Sequence, residues 1–410
     1  TAPYANELVF LFLGGFMLAA ALEGWQSHVR LAYRLVLAVG LTGRRAVLGI
    51  MLATAFISAW ISNTATAAMM YPIAIAMGGL FAQGKVGEDT RTALMLGVAY
   101  AATLGGMATM IGSPPNLVVV SGIKELAGQS VSFAQFMALG LPITLILVPV
   151  CWFLLVYVCF KATADLGPNA RDMLTSRLRA LGPIAGGEAR VLIIFLSTAL
   201  AWFIRERKDL GAMQVPGLVD IFPRISDASI GVAAAIALFL VRGRTKDGEV
   251  KPLLTWEQGR AIPWDVLLFF GAGLSLADAI ERHGLTTWLA GQLSGLAGFP
   301  PIVLYLGLAV VVLILSELAS NLAVAAMMMP LAAALAKTVG QPPIVLMLVA
   351  GFASSIGFML PVATPPNAII FGSGLVSVRQ MAKAGFLLDI ISVIVVVLVL
   401  SVLVPLVIGG

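Results

Sequence analysis

The chain has 410 residues, 60% of them hydrophobic and 11% charged, with a formal net charge of +5. Soluble domains are about 25% charged, and many apolar runs here approach or exceed the roughly 20 residues that cross a bilayer as helix. This composition describes a polytopic membrane protein. The basic residues lie between apolar runs rather than in one patch, which excludes a nucleic-acid partner.

In chain order, Val9 to Leu22 reads as an apolar helix in which Gly14-Gly15 permits close packing. A basic loop follows with His28, Arg30, Arg34, Arg44 and Arg45. The apolar runs Ala46–Trp60 and Ala65–Leu80 flank a polar tip, Ser62-Asn63-Thr64. Each run is shorter than a full span, so residues 44–80 are expected to form a re-entrant hairpin with its tip at mid-membrane. A polar loop, Gln83–Thr92, precedes an apolar helix over Ala93–Ile111. Gly112-Ser113-Pro114-Pro115-Asn116 breaks that helix, because neither proline can donate to the ladder; the broken helix covers 92–124. Phe136–Phe160 is long and apolar and carries Cys151 and Cys159, read as buried thiols rather than a disulfide. Residues 161–190 form a basic linker.

Val191–Ile204 and Ile230–Val241 are the next two spans, and the basic segment Arg242–Arg260 leads to another, Val266–Ile280. A second hairpin over 300–337 consists of Ile302–Ala319 and Leu322–Ala336 about Ser320-Asn321. A second broken helix over 343–376 consists of Ile344–Leu360 and Ala368–Leu375 about Ala363-Thr364-Pro365-Pro366-Asn367. Phe386–Ile408 is the last span.

Three blocks therefore occur twice in the same order: LFLGGFMLAAAL with LFFGAGLSLADAI, WISNTATAAMMYP with LASNLAVAAMMMP, and GSPPNLVVV with ATPPNAIIF. Ordered self-similarity of this kind is the mark of an internal duplication. Residues 1–160 are the first repeat and 191–410 the second. If both hairpins are re-entrant, 18 of the 25 Lys and Arg fall on one side. That side is then the cytoplasm, residues 161–190 are a cytoplasmic linker, and the two repeats have inverted topology. The second repeat has two spans ahead of its Gly-rich helix where the first has none, so at least two further helices are expected before Thr1.

Unpaired backbone in hydrocarbon is costly, so four breaks imply a cavity covered by protein or water. Inverted repeats with helices broken at the midplane are the architecture of secondary transporters. The helices that start after Asn63 and Asn321 aim their N-terminal amides at the cavity, and such ends attract anions. The Ser and Asn oxygens and nearby carbonyls suit a hard cation such as sodium. None of the four blocks contains Lys or Arg. Met69, Met70 and Met327–Met329 read as packing, and Glu23 and Asp278 as residues near helix ends. Glu317 is either a coupling carboxylate or a structural partner. His28 and His283 lie in different loops with no ligand cluster, so no zinc, haem or iron–sulfur site is expected, and the lack of a His, Cys or acidic cluster argues against an enzyme. Gating hairpins on both sides argue against a channel.

Ser62-Asn63-Thr64, Ser320-Asn321-Leu322, Ser113-Pro114-Pro115-Asn116 and Thr364-Pro365-Pro366-Asn367 resemble the paired motifs of the divalent anion/sodium symporter family, and the resemblance covers essentially the whole chain. It implies a homodimer in the bacterial inner (plasma) membrane, each subunit having a scaffold and an elevator-type transport domain. The cargo it implies is a C4-dicarboxylate (succinate, malate or fumarate) moved with sodium; a sodium-independent exchanger or a citrate or sulfate carrier of the same fold is the alternative. By position, one sodium site uses Ser58, Ser62 and Asn63 with the carbonyl region of Gly112. The other uses Ser316, Ser320 and Asn321 with that of Ala363. The substrate is expected to meet Asn63, Thr64, Ser113, Asn321, Leu322, Thr364 and Pro365. Leu322 stands where the family commonly has Thr, which removes a hydroxyl and adds bulk.

Overall fold

The computed structural model describes residues 6–81, 84–167, 169–184, 186–209, 214–245, 247–284, 288, 291–296 and 298–408. The first half holds α1 (Glu7–Gly24), α2 (Ser27–Val39), α3 (Gly43–Ser58), α4 (Asn63–Gly78), α5 (Lys85–Gly106), α6 (Pro114–Ala127) and α7 (Phe133–Phe153). The last turn of α7 widens into a π-helix, Leu154–Cys159. After α8 (Ala170–Ala180) and α9 (Gly186–Ile204) come two short strands, β1 (Lys208–Asp209) and β2 (Gln214–Val215), then α10 (Leu218–Ile221) and α11 (Asp227–Leu240). A small hairpin of β3 (Arg242–Arg244) and β4 (Val250–Pro252) pairs Arg242 with Pro252. The chain continues through α12 (Trp256–Arg260), α13 (Trp264–Arg282), α14 (Pro301–Leu318), α15 (Asn321–Val339), α16 (Pro343–Ser354), α17 (Pro365–Phe371) and α18 (Val378–Val407). Among the described residues six helical segments are long and apolar enough to cross a membrane: α1, α7 with its π-turn, α9, α14, α15 and α18.

Several elements differ from expectation. The basic stretch after α1, expected to be a loop because it is too polar for a span, is a helix, α2, that buries His28, Arg30, Tyr33 and Val36. His28 is therefore helical, and its Nδ1 lies 3.4 Å from the Leu22 carbonyl. Of the polar stretch Gln83–Thr92, Gln83 lies outside the described residues and Lys85–Thr92 forms the first turns of α5. The linker contains α8, and the basic segment after α11 contains the β3–β4 hairpin and α12. The first hairpin's helices have 16 residues each, but α14 has 18 and α15 has 19, so the second pair reaches spanning length. Met327 is exposed, while Met70, Met328 and Met329 are buried as expected. Cys151 and Cys159 are both free, the first buried and the second half-buried. The side chain of Asp278 lies outside the described residues.

Both broken helices stop earlier than their apolarity predicts. α5 ends at Gly106 rather than Ile111, and α16 ends at Ser354 rather than Leu360. Hydropathy does not report this, because Met107–Ile111 and Ile356–Leu360 are as apolar as a helix interior. The Pro pairs do not end a helix. They begin one, as the first residues of α6 and α17, where a missing N–H costs nothing.

Gly14 lets α1 lie directly on α11: a Cβ there would be 2.7 Å from Gly231 Cα. The two halves of the chain pack crosswise. α4 lies against α17, and α15 lies against α6. Each helix that begins at a Ser-Asn tip thus packs on the helix that begins at the other half's Pro-Pro-Asn.

Candidate functional site

The first half of the site forms where α3 gives way to α4. Ser62 caps α4, its Oγ accepting from Ala65 N at 3.4 Å, as Ser does at helix starts. Ser58, the last residue of α3, is fully buried. Its Oγ lies 2.6 Å from the Ala102 carbonyl and 2.9 Å from Asn63 Oδ1. One hydroxyl has one proton for these two acceptors. The inner atom of the Asn63 amide also faces the carbonyls of Ala102 at 3.1 Å and Gly112 at 3.3 Å. Oxygen facing three oxygens is repulsive, and two arrangements relieve it. Either the amide turns its nitrogen inward, where its two N–H groups donate to two of these oxygens, or a cation sits among them. A hard cation takes such a shell of neutral oxygens.

The second half repeats this construction. Ser316, near the end of α14, is fully buried. Its Oγ lies 2.6 Å from the Ser354 carbonyl and 2.8 Å from Asn321 Oδ1. Ala363 is buried beside it: a Cβ at Gly357 would be 3.4 Å from Ala363 Cβ and 3.8 Å from Ser316 Oγ. Ser320 stands at the N-cap of α15 but is exposed and makes no capping hydrogen bond.

The carbonyls of both unwound segments are held by residues that motif reading left without a role. Asn116 Nδ2 donates to Gly106 O and Thr109 O, both at 2.8 Å. Asn367 Nδ2 donates to Gly357 O at 3.1 Å and Leu360 O at 3.0 Å. Each amide reaches the carbonyls seven and ten positions before it. The repeated Pro-Pro-Asn was the available signal: an Asn two residues into a helix that follows a break can pair the carbonyls the break exposes.

Glu317 is placed as a structural partner. Its two carboxylate oxygens accept from Met359 N at 2.8 Å and Leu360 N at 3.0 Å, closing the unwound segment of the second half. At the matched place in the first half, Thr109 Oγ1 donates to the Ala59 carbonyl. Tyr100, fully buried on α5, has its hydroxyl 2.9 Å from Phe358 O and 3.1 Å from Met381 O, joining α5 to the second half.

The remaining expected substrate contacts are placed unevenly. Thr64 and Pro365 are exposed, Ser113 is buried without a capping bond, and Leu322 is half-buried against the core. Thr364 is buried, and its hydroxyl accepts from Asn367 N at 3.3 Å, so it caps α17. Among the described residues no group of three or more His, Cys, Asp and Glu is arranged to hold a metal ion.

The fold is similar to that of two solved membrane proteins. The chain superposes on Neisseria gonorrhoeae MtrF, described as illuminating a class of antimetabolite efflux pumps, with a TM-score of 0.61 at 13% identity over 97% of this chain and 80% of that one. It superposes on the Alcanivorax borkumensis YdaH transporter with a TM-score of 0.59 at 13% identity over 98% and 85%. At such identities the likeness concerns the fold. The spans and the family match together make this a multi-pass membrane transporter rather than an enzyme.

The chain belongs to the family described as the sodium:sulfate symporter transmembrane region, whose model matches residues 1–408. It is 37% identical over 416 aligned positions to a sodium-dependent dicarboxylate transporter of Staphylococcus saprophyticus, covering 100% of this chain and 79% of the relative. It is 35% identical to the protein of the same description in Staphylococcus aureus, covering 100% and 78%.

Proposed function

We propose that the protein imports C4-dicarboxylates such as succinate, malate and fumarate across a bacterial inner membrane, driven by sodium. The observation that carries this reading is the duplicated cluster of a buried Ser hydroxyl, an Asn amide and a backbone carbonyl at Ser58–Asn63–Ala102 and Ser316–Asn321–Ser354. Each cluster gathers a buried hydroxyl, an Asn amide and a backbone carbonyl about one point, and with the amide oxygen turned inward these neutral oxygens form a shell that suits a sodium ion. The cargo class is supported by the descriptions of the two staphylococcal relatives.

In this reading Ser58, Ser62, Asn63 and Gly112 hold one sodium, and Ser316, Ser320, Asn321 and Ala363 the other. The bound cations supply the positive charge that the four blocks lack. The dicarboxylate is then held by the outer amide and hydroxyl groups of Asn63, Thr64 and Asn321 and by the N-terminal amides of α4 and α15. Two inverted repeats, 1–160 and 191–410, carry these sites within an elevator domain, and the assembly is a homodimer.

The test is radiolabelled succinate uptake by the full-length protein in proteoliposomes. The arms are an inward sodium gradient, potassium in its place, and vesicles preloaded with succinate. Accumulation only with sodium is expected. Uptake only into preloaded vesicles would make the protein an exchanger and remove the basis for both sodium sites.

A further inference from the structure

A second site lies away from the Ser-Asn tips. Arg44 at the start of α3, Lys85 and Asp89 in the first turns of α5, Tyr157 in the π-turn after α7, and Lys161 line one cavity of about 490 Å³. Three cations and one carboxylate leave it clearly positive. Among the described residues none of Arg44, Lys85 and Lys161 belongs to an ion pair. The Arg44 guanidinium lies 4.3 Å over the Tyr157 ring, and its Nε is sealed from solvent without a hydrogen-bond partner.

The cavity is a built one. Trp152 Nε1 donates to the Arg44 carbonyl at 2.9 Å, Gly43 N donates to Asp165 Oδ1 at 3.2 Å, and Ala164 N donates to Thr90 Oγ1 at 3.2 Å. The first bond ties α7 to the start of α3, and the other two tie the chain beyond Lys161 to the starts of α3 and α5. Lys161 itself has φ +46°, a left-handed backbone that favours Gly.

Two apolar stripes lead to the cavity. On α3, Leu52 and Phe56 are exposed and continue the four-residue row that starts at Arg44. On α7, Leu145 and Phe153 are exposed and continue the row that ends at Tyr157. A basic pocket at the head of two exposed apolar rows has the chemistry of a phospholipid: phosphate at the polar end, acyl chains along the rows. The three basic segments also share the side assigned to the cytoplasm by the distribution of Lys and Arg.

We propose that this pocket binds the headgroup of an anionic phospholipid of the phosphatidylglycerol type. Arg44, Lys85 and Lys161 take the phosphodiester, and Asp89 accepts from a headgroup hydroxyl. The guanidinium is held ready by Tyr157, since a ring under its face leaves its N–H edge free for phosphate.

The test is native mass spectrometry of the purified full-length protein titrated with phosphatidylglycerol, phosphatidylcholine and soluble glycerol phosphate. Thermal stability in detergent is measured alongside. Phosphatidylglycerol is expected to stay bound and raise the melting temperature, phosphatidylcholine to do so far more weakly, and glycerol phosphate to do neither. The triple variant R44Q/K85Q/K161G is expected to bind phosphatidylglycerol roughly a hundredfold more weakly. Lys161→Gly alone keeps a comfortable backbone and is expected to lose about fivefold. Unchanged phosphatidylglycerol binding by folded Lys161→Gly and by the triple variant would overturn the proposal. So would glycerol phosphate matching the lipid, which would make the pocket a site for a free phosphate. Neither readout depends on transport, so a failure here is distinct from a failure of the sodium–dicarboxylate reading.

Discussion

Gly106 and Gly357 occupy matched places, each giving its carbonyl to the Asn of the following Pro-Pro-Asn. An added methyl would meet different surroundings. At Gly106 a Cβ would fall 2.8 Å from Asn63 Cγ and 2.9 Å from its Nδ2, with the Asn63 Oδ1 closer still. At Gly357 the nearest atom is Ala363 Cβ at 3.4 Å, an ordinary contact. Gly106→Ala therefore displaces the Asn63 amide from the first oxygen cluster, while Gly357→Ala leaves the second almost intact. Overpacking of this kind costs about 1–3 kcal/mol. Charged to sodium binding at that cluster, this is roughly a 5- to 150-fold loss of affinity. The assay is sodium-dependent thermal stabilisation of the purified protein, followed by uptake at graded sodium. Gly106→Ala is expected to need far more sodium for half-maximal effect, and Gly357→Ala to stay within about twofold of wild type. Equal responses of the two variants would refute the placement of Asn63 against Gly106.

Asn116→Leu leaves two buried carbonyls without a donor, at about 1–3 kcal/mol each, so a clear drop in melting temperature is expected, matched by Asn367→Leu; a drop in only one of them would contradict the equivalence of the two segments. Arg30 bonds Glu188 through Nε at 2.7 Å and Nη2 at 3.0 Å, and both side chains are buried. Glu188→Ala removes the counter-charge of a guanidinium left with only the Leu181, Gly182 and Pro183 carbonyls and is expected to destabilise by up to about 3–5 kcal/mol in detergent unfolding, whereas a cost below about 1 kcal/mol would mean that water reaches the pair. Leu322→Thr restores a hydroxyl beside Asn321 and is expected to change the ranking of succinate, citrate and sulfate in competition uptake; an unchanged ranking would show that position 322 does not touch the cargo.

The large-scale order of the molecule was legible in the residues. The Ser62-Asn63 and Ser320-Asn321 tips, the Gly14 packing position and both chain breaks came from composition, repetition and proline. What escaped was set by contacts distant in sequence. α2 is too polar for a span, and it buries Arg30 against Glu188, 158 positions away. The early ends of α5 and α16 are invisible in hydropathy, since the unwound residues are themselves apolar and their carbonyls are held by Asn116 and Asn367. Glu317 was ambiguous for the same reason: only the fold brings Met359 N and Leu360 N to its carboxylate. The basic pocket at Arg44 needed three segments to meet, and each alone reads as loop charge.

The most direct test of the account is sodium-dependent stabilisation of the purified protein, measured for wild type, Ser58→Ala, Ser316→Ala and the double variant. Two equivalent clusters mean that each single substitution removes part of the sodium response and the double removes nearly all of it. A folded double variant that sodium still stabilises as strongly as wild type would contradict the claim that these clusters hold the coupling ion.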